Sequence, residues 1–202
     1  MNIINAKHFD INAHNSILLV GQTGSGKTYL VRKLVEKYIQ THKPDEIKFA
    51  IFDLKQVEFS DFSEDEAKRP YLFFDIQFGD GKSFDMLDKL VELSIERAEN
   101  NTRKPVIFIY IEECDMACID QKRFDNAVIT INQNAKKANM RLIYSTSSPR
   151  VDTVSKELLN SFDLVLIGIF TYTHWFYEYF GIPKMPHLNE YEFAVIERQT
   201  NK

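Results

Sequence analysis

Cysteine, glycine, proline and tryptophan are all scarce in this 202-residue chain: two, seven, six and one. The two cysteines, Cys114 and Cys118, lie four apart with no second pair. That excludes a disulfide scaffold and leaves two plain thiols in a reducing compartment. Neither a Gly/Ser/Pro linker tract nor a low-complexity segment interrupts the chain, which argues against disorder and collagen-like architecture. Long apolar runs are missing too. The longest, 164–170 (LVLIGIF), is far short of the ~20 residues of a membrane span. The opening MNIINAKHFD lacks the apolar stretch of a signal peptide, so a cytoplasmic setting is expected. Positive charge is also short, 25 Lys+Arg against 29 Asp+Glu for a net charge of −4. A histone-like coat on nucleic acid is thereby excluded, and any DNA-handling role must be argued from a site. His174 and His187 have no partners at metal-ligand spacing, so no zinc site is read.

What is present is an alternation. Short β-rich apolar runs stand at Ser16–Val20 (SILLV), 47–52 (IKFAIF), 71–76 (YLFFDI), 106–111 (VIFIYI), 142–145 (LIYS) and 164–169 (LVLIGI). Near-continuous apolar runs of this length suit strands buried on both faces of a parallel sheet. Helical periodicity fills the intervals at 27–40, 83–99, 122–138, 154–160 and 171–180, and 191–198 (YEFAVIER) reads as a late strand at the sheet edge. The expectation is a single α/β domain over 1–202, a mainly parallel sheet with helices on both faces. An aromatic helix and an edge strand at 171–202 complete that same domain.

Between the first of these runs and the first helix stands Gly21-Gln22-Thr23-Gly24-Ser25-Gly26-Lys27-Thr28, the full G-x-x-x-x-G-K-[ST] pattern. Small residues at Gly24, Ser25 and Gly26 let the backbone turn its N–H groups toward a phosphate, and the helix adds its positive N-terminal end. Lys27 is placed to reach the β and γ phosphates, and the Thr28 hydroxyl to coordinate Mg²⁺. The expected ligands are ATP and Mg²⁺.

Such a site needs a further carboxylate at the end of a buried strand near the loop. The run VIFIYI discharges into Glu112-Glu113. Glu112 reads as the metal-side acid and Glu113 as the base that polarises the attacking water. Glutamate at 112 is one methylene longer than the usual aspartate, and a second acid directly after the first suits NTPases with an added catalytic glutamate better than simple kinases or GTPases. The following run ends in Ser145-Thr146-Ser147-Ser148-Pro149, where Thr146 or Ser147 is a candidate for sensing the γ-phosphate.

Segments beyond the loop narrow the class. Phe52-Asp53-Leu54-Lys55-Gln56-Val57-Glu58-Phe59-Ser60-Asp61-Phe62 resembles the I-D-P-K-x-V-E-L-S-x-Y pattern of the FtsK/SpoIIIE DNA translocases, within the HerA–FtsK superfamily. Pro70-Tyr71-Leu72 stands where that family has P-H-L, and Ser145 to Asp152 matches A-T-Q-R-P-S-V-D at Thr, Pro, Val and Asp. The likeness runs in order from Gly21 to about Asp163. It implies a RecA-like P-loop NTPase fold and an ATPase that translocates double-stranded DNA as a homo-oligomeric ring, a hexamer. Hydrolysis sites between subunits imply a trans-acting arginine, for which Arg141 and Arg150 are the candidates. Leu54 in place of the family's proline and Ser147 in place of its sensor glutamine are departures. Lacking the family's membrane-anchoring, linker and DNA-orienting portions, the chain is expected to be a motor core alone.

Within the superfamily, the genome-packaging ATPases of tailless, membrane-containing DNA viruses are similarly small, and 186–196 (PHLNEYEFAVI) looks like their closing hairpin. Capsid, membrane or portal-type proteins are the partners this implies, and a plasmid or integrative-element transfer motor is the close alternative. A nucleotide-gated assembly ATPase with little DNA-dependent turnover is a further alternative, whereas a small-molecule kinase lacks the Arg-rich lid it would need. Of the other features, 171–180 (TYTHWFYEYF) is expected to pack on the sheet rather than grip bases. The acidic stretch 58–66 is expected to be a solvated loop, and Lys136-Lys137 with Arg141 is the one basic cluster available for DNA.

Overall fold

The computed structural model describes residues 2–9, 11–53, 58–77, 80–112, 116–147, 154–170, 180–182 and 184–197. Strands β1 (Asn2–Asn5), β2 (Ser16–Val20), β3 (Ile47–Asp53), β4 (Val106–Glu112), β5 (Met140–Thr146), β6 (Leu164–Ile167) and β7 (Glu192–Glu197) form one sheet in the order β1-β7-β6-β2-β5-β4-β3. Pairings from β6 through β3 are parallel, and β7 runs antiparallel to both its neighbours. The five parallel strands carry Ile, Leu, Val, Phe and Tyr on both faces because both faces are covered. Helix α1 (Lys27–Thr41) buries Leu30, Val31, Leu34 and Val35 against one face, over Ile17, Leu19, Phe108 and Ile143. On the other face α3 (Asp80–Glu99), α4 (Met116–Ala138) and α5 (Lys156–Asn160) bury Leu87, Leu90, Phe124, Val128 and Leu158 over Leu18, Ile109 and Leu142. A kink at Asp120 (φ −145°, ψ 81°) divides the first turn of α4 from the remainder.

Chain order jumps from β2 to β3 across β5 and β4, so the loop after β2 opens at a topological switch point on the sheet's C-terminal edge. Open α/β sheets bind ligands at such points.

Three expectations are corrected. The run 71–76 is not a strand of the sheet: Arg69–Tyr71 forms a 3-10 turn, and the segment then flanks β3 through isolated bridges at Phe49–Leu72 and Phe52–Gln77. Its amides at Phe73 and Gln77 donate to Phe49 O and Ile51 O, so it covers the sheet edge without a continuous ladder. The acidic stretch is no solvated loop. It folds as α2 (Ser60–Glu64), burying Phe59 and Phe62, while Asp61 pairs with Arg32 at 3.1 Å and with Lys68. The late strand, shortened to Glu192–Glu197, is not at the edge, because β1 pairs outside it. The aromatic segment 171–179 lies outside the described residues. Among the described residues, no helix is long and apolar enough to cross a membrane.

Candidate nucleotide site

The Gly21–Thr28 segment leaves β2 and enters α1 through two residues in the left-handed region, Gly24 (φ 83°) and Gly26 (φ 92°). Only glycine adopts that backbone without strain, and a Cβ at Gly26 would also meet the Tyr191 ring at 2.6 Å. The loop is tied to the sheet on both sides, with Gly21 N donating to Thr146 O (3.2 Å) and Gln22 N to Ile169 O (3.0 Å). Gly26 caps α1 with no side-chain hydrogen bond, and the N-terminal end of a helix is a place where an anion binds. Lys27 is buried, its ammonium donating to Gly21 O at 2.6 Å and Gln22 O at 3.3 Å.

Across the cleft the Thr28 hydroxyl donates to Glu112 Oε1 at 2.8 Å. Glu112 is the last residue of β4, in register with Asp53 on β3 and Ser145 on β5. Strand alternation puts these three and Tyr110 on the α1 face. All are buried, and Glu112 Oε2, Asp53 Oδ1, Tyr110 OH and Ser145 Oγ make no hydrogen bond of normal geometry within the described residues. Asp53 uses its other oxygen to accept from the Glu58 and Phe59 amides (2.8 and 3.0 Å), which fixes the turn after β3. Burial pushes the Glu112 carboxyl up to about 7, aided by the Glu58 and Asp53 charges and opposed by the Thr28 hydroxyl. Burial likewise raises the Tyr110 phenol well above its ordinary range. The cleft, about 310 Å³, is lined by Thr23, Gly24, Gly26, Lys27, Thr28, Tyr29, Glu58, Glu112, Glu190 and Tyr191.

An uncapped helix start, a left-handed glycine turn, a buried lysine and a strand-end acid bonded to the threonine after that lysine form the phosphate site of a P-loop ATPase. Within that class the chain is FtsK/SpoIIIE-like. The FtsK/SpoIIIE family profile matches residues 2–65. The DNA translocase FtsK of Streptococcus pyogenes is 26% identical over 178 residues, covering 75% of this chain and 22% of that protein. This chain thus spans about a fifth of the length of the curated relatives it matches. Among solved structures, the cytoplasmic domain of the Thermomonospora curvata Type VII secretion ATPase EccC superposes with a TM-score of 0.70 at 13% identity, covering 95% and 23% of the two chains. The genome packaging NTPase B204 of Sulfolobus turreted icosahedral virus 2 superposes with a TM-score of 0.60 at 20% identity, covering 92% of each. These structural likenesses establish the fold.

The structure brings together Gly21 to Thr28 and Glu112. Glu113 and Arg150 lie outside the described residues. Ser147 follows the end of β5 and is half-buried, but the β5 side chain in register with Glu112 is Ser145. Arg141 stands near the start of β5, about 16 Å along the strand from Thr146 at ~3.3 Å per residue. Its guanidinium donates to Asn15 Oδ1 at 2.7 Å, at the edge opposite the P-loop. Asp53, Tyr110 and Ser145 were not singled out as site residues from sequence, although two-residue alternation from Glu112 points to Tyr110.

Proposed function

We propose that this chain is an ATP-driven translocase of double-stranded DNA that works as a homo-oligomeric ring, a hexamer, and packages or transfers a viral or mobile-element genome. The observation that carries the reading is the Thr28–Glu112 bond, which joins the phosphate loop to the acid at the end of β4 within a chain coextensive with a packaging NTPase. The family match to FtsK translocases supports DNA as the substrate.

In this reading the α1 amides and Lys27 bind the triphosphate, the ammonium exchanging loop carbonyls for phosphate oxygens. The uncapped helix start and the unpartnered Glu112 Oε2 fit a phosphate-bound divalent cation. Thr28 and Glu112 would hold Mg²⁺, which would neutralise charge on the β and γ phosphates. Glu113 takes the proton of the attacking water, and an arginine from the neighbouring subunit, Arg141 or Arg150, stabilises the developing charge. Ser147 senses the γ-phosphate. Lys136 and Lys137, exposed in the last turn of α4, supply positive charge for DNA at the edge away from the cleft. The packaging role brings capsid, membrane or portal-type partners.

The test is the ATPase rate with and without linear duplex DNA, run beside a sizing measurement in ATP and Mg²⁺. Several-fold stimulation and a ring-sized species are expected. A strict monomer without stimulation overturns the motor. A second reading, a nucleotide-gated assembly ATPase acting on protein, draws on the TM-score of 0.70 to a secretion ATPase, above that to the packaging NTPase. Turnover indifferent to duplex is the outcome it expects.

A further inference from the structure

The two ends of the cleft differ in chemistry. One carries Glu58 and Glu112 beside Thr28; the other carries Tyr29 and Tyr191, with Glu190 bonded to the Tyr191 hydroxyl. Loop binding of a triphosphate sets its direction, because Lys27 and Thr28 belong to the β and γ phosphates and the Thr28 hydroxyl faces Glu112. The α-phosphate and nucleoside therefore leave past the first turn of α1. Tyr29 is the next residue there, and its ring centroid lies 4.6 Å from that of Tyr191, the planes tilted at 45°.

Tyr191 is held in place for a ring this large. Its φ of 66° is a left-handed backbone that a bulky residue adopts only under constraint. The constraint comes from both sides of the turn before β7. Tyr191 O accepts from Ala6 N at 2.9 Å, Glu192 N donates to Asn189 O at 3.1 Å, and Asn189 N donates to the Glu192 carboxylate at 2.8 Å. The missing side chain at Gly26 lets the ring lie directly on the phosphate loop. A partly buried aromatic pair, rigidly presented beside the exit of a phosphate site and with the Lys33 ammonium 5.7 Å from the Tyr29 ring centroid, is an arrangement on which a flat heterocycle stacks.

We propose that Tyr29 and Tyr191 are the nucleobase platform of this site, with Tyr191 its specificity-determining residue. The proposal rests on the cleft being a nucleoside triphosphate site. A platform of ring faces ranks bases by stacking area, so ATP and GTP both bind ahead of CTP.

The test compares ATP with inorganic tripolyphosphate, which has the phosphates and no base, in equilibrium binding to the full chain. Tyr191→Asn removes the ring while tolerating the left-handed backbone; Tyr29→Leu removes the other ring, and Tyr191→Phe keeps the stack. Each ring-deleted variant is expected to lose roughly 5- to 160-fold in ATP affinity, the value of one base on one aromatic ring. Tripolyphosphate should stay within about twofold, and Tyr191→Phe should match the parent chain for both ligands. An equal loss of both ligands, or no loss of either, overturns the platform. Failure of the parent chain to bind either ligand overturns instead the reading of the cleft as a nucleotide site.

Discussion

Replacing Glu112 with glutamine removes a carboxyl that the fold buries at a cost. Its side chain sits 4% exposed, accepts one hydrogen bond from Thr28, and has Asp53 and Glu58 near by. The displacement from the ordinary 4.5 to about 7 means the folded chain holds that proton more tightly than the unfolded one. Between those values the unfolded state binds fewer protons, so stability falls as pH rises through the window and levels off above it. The full displacement corresponds to about 3 kcal/mol. Most of it is already lost at pH 7, and only about 1 kcal/mol at pH 5. Glutamine keeps an oxygen for Thr28 and carries no charge, so Glu112→Gln should gain stability on the parent chain by about 2 to 3 kcal/mol more at pH 8 than at pH 5. The assay is urea unfolding of the nucleotide-free chain across pH 5 to 8, with equal m-values checked for both proteins. A stability difference that is flat with pH would refute the reasoning, since a group titrating alike in both states cannot be the strained one.

Other perturbations test separate parts of the site. Lys27→Ala should abolish nucleotide binding or turnover, and Glu113→Gln should bind ATP without hydrolysing it; robust steady-state turnover by the latter would remove Glu113 from its role. Asp53→Ala strands the Glu58 and Phe59 amides and should cost about 2 to 4 kcal/mol in chemical unfolding, whereas Asp53→Asn, keeping one acceptor, should cost about 1. Gly26→Ala combines a left-handed backbone with a clash against Tyr191, and a loss of about 1 to 3 kcal/mol with weakened nucleotide binding is expected. An unchanged unfolding midpoint would contradict the glycine requirement.

Local pattern made much of this fold legible. Apolar runs at Ser16–Val20, 47–52, 106–111, 142–145 and 164–169 became strands because residues buried on both faces leave an uninterrupted hydrophobic signal. The run 71–76 carries the same signal and is no strand of the sheet, since a partly covered edge segment buries side chains without needing a ladder. Strand β1 was missed for the opposite reason. Asn2–Asn5 has two apolar residues between asparagines, and only the antiparallel partner β7 makes it a strand. In 58–66 the acids concealed two anchors, Phe59 and Phe62, whose burial turned a charged stretch into a packed turn.

The phosphate loop was determined by sequence alone, because its chemistry depends on consecutive residues whose backbone angles and side chains act within a few ångströms. That Glu112 ends a strand beside it could also be read from a buried run stopping at an acid. Tertiary structure decided what surrounds that acid. Register across three strands gathers Asp53, Glu112 and Ser145 from positions far apart in the chain, and burial there raises the Glu112 carboxyl toward neutrality. It likewise set Tyr191 against Tyr29 and moved Arg141 to the far edge, since contacts between distant segments depend on strand order, which no local pattern encodes.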